Sequence, residues 1–359
     1  MNWKRFRRQL LDWYDPAARP MPWKNIRDPY RIWLSEIILQ QTRVAQGTPY
    51  YERFTTAYPT VADLAAAPDD EVMKLWEGLG YYSRARNLLR AARRVVANHG
   101  GKFPDTYTGL RSLPGVGPYT AAAIGSFAFD LPTPVLDGNV YRILARYTGS
   151  SVPIDTTAGK KHYTTLVEEA LGPASARTFN QAIMDFGATV CTPRNAACGS
   201  CPLRQNCRAL AQGLVYELPR KEKKLRRRTR YFNYLVVTDA EGNGILRQRG
   251  NGDIWEGLYD FPLVESERST LTAADLPRSD HWPAWLPGGN LSFVRSSPPY
   301  RQQLTHQTII AVFHVFTTQK LPEPADEFKV ISNKKFSIFA FPRLVNRYLE
   351  DKSLTLDLF

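Results

Sequence analysis

The cysteines constrain this chain more than any other feature, because all four fall in one short segment, CTPRNAACGSCPLRQNC. They are Cys191, Cys198, Cys201 and Cys207, with the spacing C-x6-C-x2-C-x5-C. A disulfide framework is disfavoured, since a chain of 359 residues buries a large core without such links. Tetrahedral zinc stays open, although its ligands usually form two close Cys pairs and only one pair here is close. Four thiolates on one compact loop also suit a [4Fe–4S] cluster, which the spacing favours.

The chain is strongly basic, with a net charge of +13 and an isoelectric point of about 9.6. Such an excess favours a polyanionic partner, with nucleic acid ahead of an anionic membrane, although it is also compatible with charge that only confers solubility. The longest strongly apolar stretch, Ala121–Phe129, is far too short to span a bilayer. The beginning, MNWKRFRRQL, has no apolar segment behind it. We therefore expect a cytoplasmic monomer without a membrane partner, associated with the nucleoid if the source is bacterial.

Two halves differ in sequence texture. Residues 1–212 contain apolar residues at three- and four-residue spacing, as in IWLSEIILQQTRVAQ and SRARNLLRAARRVVANHG, which predicts helices. Residues 213–230 include the run RKEKKLRRRTR, which predicts an exposed linker that is either a solvated hinge or a phosphate contact. Residues 231–359 contain short alternating apolar runs such as YFNYLVVTD and TIIAVFHVFTT, which predict an α+β domain. The fold class is therefore a multidomain chain with a helical part followed by an α+β part.

A glycine-containing turn, LPGVGPYT, leads into an Ala-rich helix. Gly115, Val116 and Gly117 form its tip, where glycines allow a tight turn and the helix start presents backbone N–H groups. Such a turn binds phosphate well, helped by the positive end of the helix dipole. An ordinary helix–turn–helix connection is the alternative.

Two carboxylates are candidates for glycosidic chemistry. Glu36 lies in the apolar helix IWLSEIILQQ, where burial raises a carboxyl pKa and keeps a proton available near neutral pH. Asp137 lies in PVLDGNV, before another helical run, and either caps that helix or acts as an anion. A protonated acid paired with an anionic carboxylate is the couple that glycosidic cleavage needs.

These motifs together resemble the endonuclease III superfamily of DNA glycosylases. Within it, the segments PWKNIRDPYRIWLSEIILQQTRV, GLGYYSRARNL, LPGVGPYTA, VLDGNV and FNQAIMDFGATVCTPR resemble the MutY-type adenine DNA glycosylases, over about residues 3–210. The resemblance implies an all-α helix-hairpin-helix domain with a [4Fe–4S] loop. In it, a six-helix part covers about 22–132 and an iron–sulfur part covers about 1–21 and 133–212. A Nudix-like domain at 231–359, which reads 8-oxoguanine opposite the target adenine, would follow the linker.

The resemblance also implies roles for single residues. Glu36 matches the general acid that protonates adenine, and Asp137 matches the carboxylate that stabilises the oxocarbenium-like sugar. Tyr119 stands where lyase-competent relatives have a lysine nucleophile, so the enzyme is expected to release adenine without cutting the strand. Asn139 supports catalysis by hydrogen bonding.

Further residues are assigned to DNA contacts in the same way. Gln41 and Tyr81 match the wedge residues that enter the duplex when adenine is flipped out. The residues that match positions around the extruded adenine are Trp23, Lys24, Leu39 and Gln181.

In the second half, WEGLYDFPLVESERST has no R-E-x-x-E-E glutamate set, so we expect this domain to bind and not to hydrolyse. The family's Phe-Ser-His loop reads Leu304-Thr305-His306 here, and Thr305 and His306 are its expected lesion contacts.

The function expected is a monofunctional adenine glycosylase of base excision repair, acting on double-stranded DNA that contains A:8-oxoguanine or A:G. The alternatives are a bifunctional endonuclease III-like glycosylase and lyase, against which Tyr119 argues, and a non-catalytic iron–sulfur DNA-binding protein, against which the retained Glu36 and Asp137 argue.

Overall fold

A computed structural model describes residues 1–222 and 227–351. The chain divides into two compact units, residues 1–66 with 87–224 and residues 67–86 with 225–359. The helical class of the first part and the α+β class of the second are confirmed. The boundaries at 212 and 230 stay predictions, and residues 223–226 of the predicted linker lie outside the described residues. No helix in the described ranges is long and apolar enough to cross a membrane.

Helices account for nearly all regular structure before residue 222. They are α1 (Trp3–Trp13), α2 (Pro29–Leu39), α3 (Val44–Ala57), α4 (Val61–Ala66), α5 (Asp69–Leu75), α6 (Ser83–His99), α7 (Tyr107–Arg111), α8 (Pro118–Phe129), α9 (Gly138–Thr148), α10 (Thr157–Leu171), α11 (Ala176–Thr189) and α12 (Arg208–Ala211), with a 3₁₀ turn at Arg204–Asn206.

Helix α2 is central to the first unit and is apolar on all sides. The Asp28 carboxylate caps it by accepting from the backbone N–H of Tyr30 at 2.9 Å, and Pro29 occupies its first turn, where a missing N–H costs nothing. Ile32, Trp33 and the rest of the helix up to Ile38 are buried. A helix buried on every face carries few polar groups, so Glu36 stands out within it.

The hairpin between α7 and α8 has the predicted tight turn. Gly115 adopts a left-handed conformation with φ +74°, and a Cβ added there would lie only 2.7 Å from the Asn87 Cβ. Val116 is buried, and its N–H donates to the Leu113 carbonyl at 3.1 Å. Gly117 is the N-cap residue of α8 and makes no side-chain cap.

The second unit is built on an eight-stranded sheet. Its strands are β1 (Arg228–Asp239), β2 (Asn243–Gln248), β3 (Tyr259–Asp260), β4 (Leu263–Ser266), β5 (Ser292–Ser296), β6 (Tyr300–Gln303), β7 (Gln307–Thr318) and β8 (Phe328–Ser332). They are joined by 3₁₀ turns at Leu276–Arg278, Gly288–Asn290 and Asn333–Ile338, and followed by α13 (Arg343–Leu349).

The two long strands form the centre of this sheet. Strands β1 and β7 are parallel over their whole length, from Arg228 opposite Gln307 to Asp239 opposite Thr318. The order is β3-β2-β1-β7-β5, with β4 paired to β1, β6 to β7 and β8 to β2, all antiparallel. Apolar residues cover both faces: Leu235 and Val237 pack with Phe316 on one, and Tyr234 stacks on Phe313 on the other.

Residues 67–86 belong to this second unit, although they precede the sheet by well over a hundred residues. The Lys74 ammonium donates to the Phe339 carbonyl at 3.0 Å, and the Glu77 carboxylate accepts from the Phe341 N–H at 2.8 Å. Arg86 donates to the Glu256 carboxylate at 2.8 Å. Composition does not reveal this grouping, because α5 reads as one more helix of the first half.

Candidate active site

One cavity in the first unit collects residues from α2, α8, α9 and α11. Its volume is about 520 Å³. The residues predicted from the sequence that line it are Trp23, Glu36, Leu39, Gln41, Tyr119, Asp137, Asn139 and Gln181. Residues from distant parts of the chain therefore meet at one cavity.

Glu36 is the buried acid of this cavity, with 8% of its surface exposed. Its pKa is raised to about 7: burial is the main cause, a hydrogen bond from Tyr119 opposes the rise, and the nearby Asp137 charge adds to it. Burial and the Glu36 charge raise the pKa of Tyr119 well above 10, so its hydroxyl stays protonated and acts as the donor. At neutral pH a large fraction of Glu36 therefore carries a proton.

Asp137 has two structural roles at once, since it caps α9 and lines the cavity. Its Oδ1 accepts from the backbone N–H groups of Asn139 at 2.9 Å and Val140 at 2.8 Å, and its Oδ2 accepts from Asn139 Nδ2 at 2.8 Å. Burial raises the pKa of Asp137, whereas these hydrogen bonds oppose the rise. The cap orients the carboxylate and supports its anionic form.

Asn139 is itself held in place. Its Oδ1 accepts from Arg142 Nη2 at 2.8 Å, and the same guanidinium donates to the carbonyls of Gly187 at 2.8 Å and Cys191 at 2.7 Å. A Cβ on Gly187 would lie 2.6 Å from the Asn139 Cβ, so α9 and α11 approach closely at this point.

A buried ion pair on the cavity wall was missed by sequence reasoning. Asp185 lines the cavity and accepts from the Lys24 ammonium at 2.5 Å and from Arg19 Nη1 at 2.8 Å. Lys24, predicted near adenine, does not line the cavity and reaches it through Asp185. The available signal was an acid inside the mainly apolar run FNQAIMDFGA.

Both predicted wedge residues have left-handed backbones. Gln41 has φ 57° and Tyr81 has φ 49°, in a region that non-glycine residues rarely adopt. Gln41 lies at the cavity of the first unit, whereas Tyr81 belongs to the second unit and is 47% exposed. Strained residues of this kind concentrate at functional sites.

The four cysteines surround a cavity of about 30 Å³. Burial raises the pKa of Cys201 to about 11, and the other three cysteines contribute to the rise through their charges. Arg146 contacts the same loop, with Nη1 3.5 Å from Cys191 Sγ and 2.7 Å from the Thr192 carbonyl. Within the described residues, no three His, Cys, Asp or Glu side chains are arranged to hold a single metal ion.

A second cavity, of about 400 Å³, lies within the second unit. Tyr81, Thr305 and His306 line it, together with the loop around Trp255. The hydroxyls of Tyr81 and Thr305 are 2.8 Å apart. Two residues predicted separately as DNA contacts thus meet at one pocket, and His306 is exposed beside them.

The helical fold and the paired carboxylates are those expected of a base excision DNA glycosylase. Comparison with known proteins supports this class. Residues 34–168 match the "HhH-GPD superfamily base excision DNA repair protein" family. A solved thermostable thymine-DNA glycosylase superposes with a TM-score of 0.54 at 31% identity, covering 58% of this chain and 97% of that one.

The relatives narrow the class to one family. The adenine DNA glycosylase of Buchnera aphidicola (subspecies Baizongia pistaciae) is 35% identical, over 74% of this chain and 76% of its own. The rat adenine DNA glycosylase is 38% identical, over 79% of this chain. The chain belongs to the adenine DNA glycosylase family, and it spans 65% of the length of the rat relative. Endonuclease III-like proteins of this superfamily typically have an iron–sulfur cluster, and the four cysteines are present here.

Proposed function

We propose that this protein is a monofunctional DNA glycosylase of base excision repair, which releases adenine mispaired with 8-oxoguanine or guanine. The observation that carries the proposal is the pairing of Glu36 and Asp137 at one cavity, with the pKa of Glu36 near 7. A neutral acid beside an anionic carboxylate suits N-glycosidic hydrolysis, because the acid protonates the leaving base and the anion stabilises the sugar cation.

Glu36 is the general acid in this proposal. Its protonated carboxyl donates to a ring nitrogen of the flipped adenine, which makes the base a better leaving group. Tyr119 holds the carboxyl by a hydrogen bond, and the buried apolar environment of α2 keeps the proton in place.

Asp137 stabilises the positive charge that develops on the sugar as the glycosidic bond breaks. The α9 N–H groups and Asn139 orient its oxygens before substrate arrives, so little reorganisation is needed. Water then adds to the sugar, its released proton returns to the Glu36 carboxylate, and an abasic site remains. Tyr119 offers no amine for a Schiff base, which supports a monofunctional enzyme.

The lining of the cavity suits a purine. Trp23 supplies an aromatic surface, and Leu39 and Gln181 supply further contacts. The Asp185 carboxylate, fixed by Lys24 and Arg19, is placed to accept from the exocyclic amino group of adenine.

We propose that the cysteines hold a [4Fe–4S] cluster. All four surround one small cavity, as the ligands of one shared group would. When bound, the cluster cross-links the loop as a structural element. The neighbouring Arg194, Arg204 and Arg208 add positive charge, which suits DNA phosphates.

Recognition of the opposite base is assigned to the pocket of the second unit, in the Nudix-like domain. Thr305 keeps the hydroxyl of the family's serine, and its contact with Tyr81 supports a shared role at the wedge. The α7–α8 hairpin, through the Gly115–Gly117 backbone, suits a DNA phosphate.

An assay on a duplex with one A:8-oxoguanine pair tests the activity. We expect adenine release, strand breakage only after alkali, and little covalent complex on borohydride treatment. Strand breakage without alkali would favour the bifunctional alternative, and no release would favour a DNA-binding protein. About four iron and four sulfide per chain are expected, whereas stoichiometric zinc would contradict the cluster.

A further inference from the structure

The loop that contains Thr305 is attached to two arginines at the start of the sheet. Arg227 Nε donates to the Thr305 carbonyl at 3.3 Å, and the Arg228 N–H donates to the His306 carbonyl at 3.2 Å. Arg228 Nε also donates to Gln307 Oε1 at 3.3 Å. The two guanidinium groups therefore lie at the two ends of the loop, one beside Thr305 and the other beside Gln307.

These contacts follow from the topology of the sheet. Arg228 begins β1 and is the parallel partner of Gln307, the first residue of β7. The loop ends where β7 begins, because the Leu304 N–H donates to the Gln307 carbonyl at 2.8 Å. The end of the basic segment and the loop are consequently adjacent in the fold, although some eighty residues separate them.

Arg227 and Arg228 differ from their neighbour Arg230, whose positive charge is balanced by carboxylates. Arg230 is held by the carboxylates of Asp253 and Glu265, each at 2.6 Å, and these bonds raise its pKa. Arg227 and Arg228 are exposed and pair with no carboxylate in the part of the chain that the structure describes. Each uses one side-chain N–H in the contacts above and keeps its remaining donors for an outside acceptor.

An anion is the partner that two such groups fit. Guanidinium binds phosphate by two parallel hydrogen bonds. The net charge of +13 on the chain also favours electrostatic attraction to an external anion. A loop that reads a base lies within side-chain reach of the phosphates of that same nucleotide. Contacts to such phosphates position a protein on DNA, whereas contacts to base edges supply specificity.

We propose that Arg227 and Arg228 bind the backbone phosphates on either side of the nucleotide whose base is read by the Thr305 loop. The inference rests on the proposed function, which supplies DNA as the ligand. In this proposal the two arginines contribute binding affinity and fix the position of the protein along the strand. Thr305 discriminates between the bases.

The test measures binding as a function of salt. Full-length parent, R227Q, R228Q and the double variant are titrated with duplexes that contain A:8-oxoguanine or A:G. The adenosine carries a 2′-fluorine, which disfavours positive charge on the sugar and so prevents turnover. The slope of log K against log salt should fall by about 0.9 for each phosphate that a variant no longer binds, and so by roughly 1.8 in the double variant. Affinity for the two duplexes should fall by the same factor, within about twofold.

Two controls separate charge from loop damage. R227K/R228K keeps both charges and should keep the slope. Lys329→Gln removes another exposed charge, on β8, which pairs with β2 and not with β7, and should leave the slope unchanged.

Three outcomes would contradict parts of this account in different ways. An unchanged slope in the double variant overturns the phosphate contacts. An unchanged slope together with the disappearance of the preference for 8-oxoguanine also overturns them and makes the arginines supports of the loop. A parent protein with no preference for A:8-oxoguanine contradicts the recognition of 8-oxoguanine that the proposed function assigns to the second unit, while a reduced slope in the variants would still support phosphate binding.

Discussion

The cavity of the first unit and the pocket of the second are built from different chemistry. The first holds Glu36 and Asp137, two carboxylates whose pKa values burial raises. The second brings together two hydroxyls, those of Tyr81 and Thr305, at the surface. Burial of an acid keeps it protonated at working pH, so that it can act as a proton donor in catalysis. An exposed hydroxyl contributes only when it forms a hydrogen bond with a bound ligand.

The two sites also differ in how their residues are held in place. Asp137 is fixed by the N-terminus of α9 and by the Asn139 side chain, and Asn139 is held in turn by the Arg142 guanidinium. Thr305 lies in a turn between β6 and β7 whose anchors are the arginines before and at the start of β1. We therefore expect substitutions in the first cavity to abolish turnover and those in the second pocket to shift preference.

Glu36→Gln should have the largest effect, lowering single-turnover adenine release by a factor of about 10² to 10⁴. The amide keeps the shape but has no acidic proton, so binding to the duplex should persist. Glu52→Gln, on the exposed face of α3, is the matched control and should behave as the parent. Release within a few-fold of the parent would remove Glu36 from the mechanism.

Asp137→Asn should lower release by a factor of about 10² to 10³, since a neutral amide offsets the sugar charge poorly. Asparagine still caps the helix, but its amide nitrogen would face the Asn139 Nδ2 donor, so the unfolding free energy should fall by about 1 kcal/mol. Asp28→Asn makes the same change at the α2 cap, away from the cavity, and should keep full activity. If Asp137→Asn turns over normally, Asp137 is a cap and not a catalyst.

Ionisation of Glu36 should lower the stability of the folded protein at higher pH. Its pKa is about 7 in the folded chain and near 4.5 in the unfolded chain, so ionisation favours unfolding. The parent should lose about 3 kcal/mol as pH rises from 4.5 to 7, and that loss should be absent in Glu36→Gln. Urea unfolding at pH 4.5 and pH 8 measures it, and equal pH dependence in both proteins would argue against a buried acid.

The pH dependence of adenine release should also depend on Glu36. Release requires protonated Glu36, so the rate should fall about tenfold per pH unit above about 7. Asp137 must be ionised, and its raised pKa should move the acidic limb to a higher pH than an ordinary aspartate would give. Single-turnover rates across pH 5 to 9 give both limbs, and a rate that stays flat to pH 9 would exclude Glu36 as the acid.

Thr305→Val should have the smallest effect, confined to selectivity. Loss of one hydrogen bond weakens the preference for 8-oxoguanine over guanine by roughly 0.5–1.5 kcal/mol, while release from A:G continues. Thr305→Ser restores the hydroxyl and should restore the preference. Equal preference in the valine variant would mean that Thr305 does not contact the lesion.

Some of this organisation could be predicted because local chemistry suffices for it. Helix periodicity predicted α2, α6 and α8, and the glycines of LPGVGP predicted a turn whose left-handed Gly115 only glycine adopts easily. A helix cap was one of the two interpretations of Asp137 before a helical run, and the structure shows that cap. The clustering of the cysteines needed only their spacing, since residues so close along a loop are close in space.

What the sequence by itself determined is therefore the set of elements, the class of the two halves and the candidate groups. Tertiary structure alone decided which of these groups meet. It brings Glu36 to Asp137, pairs Lys24 with Asp185, joins Tyr81 to Thr305 and groups residues 67–86 with the sheet. The physical reason is that such contacts depend on how apolar faces pack, a property of the whole chain. The pKa values that make the cavity reactive follow from that packing, because burial, and not residue type, sets them.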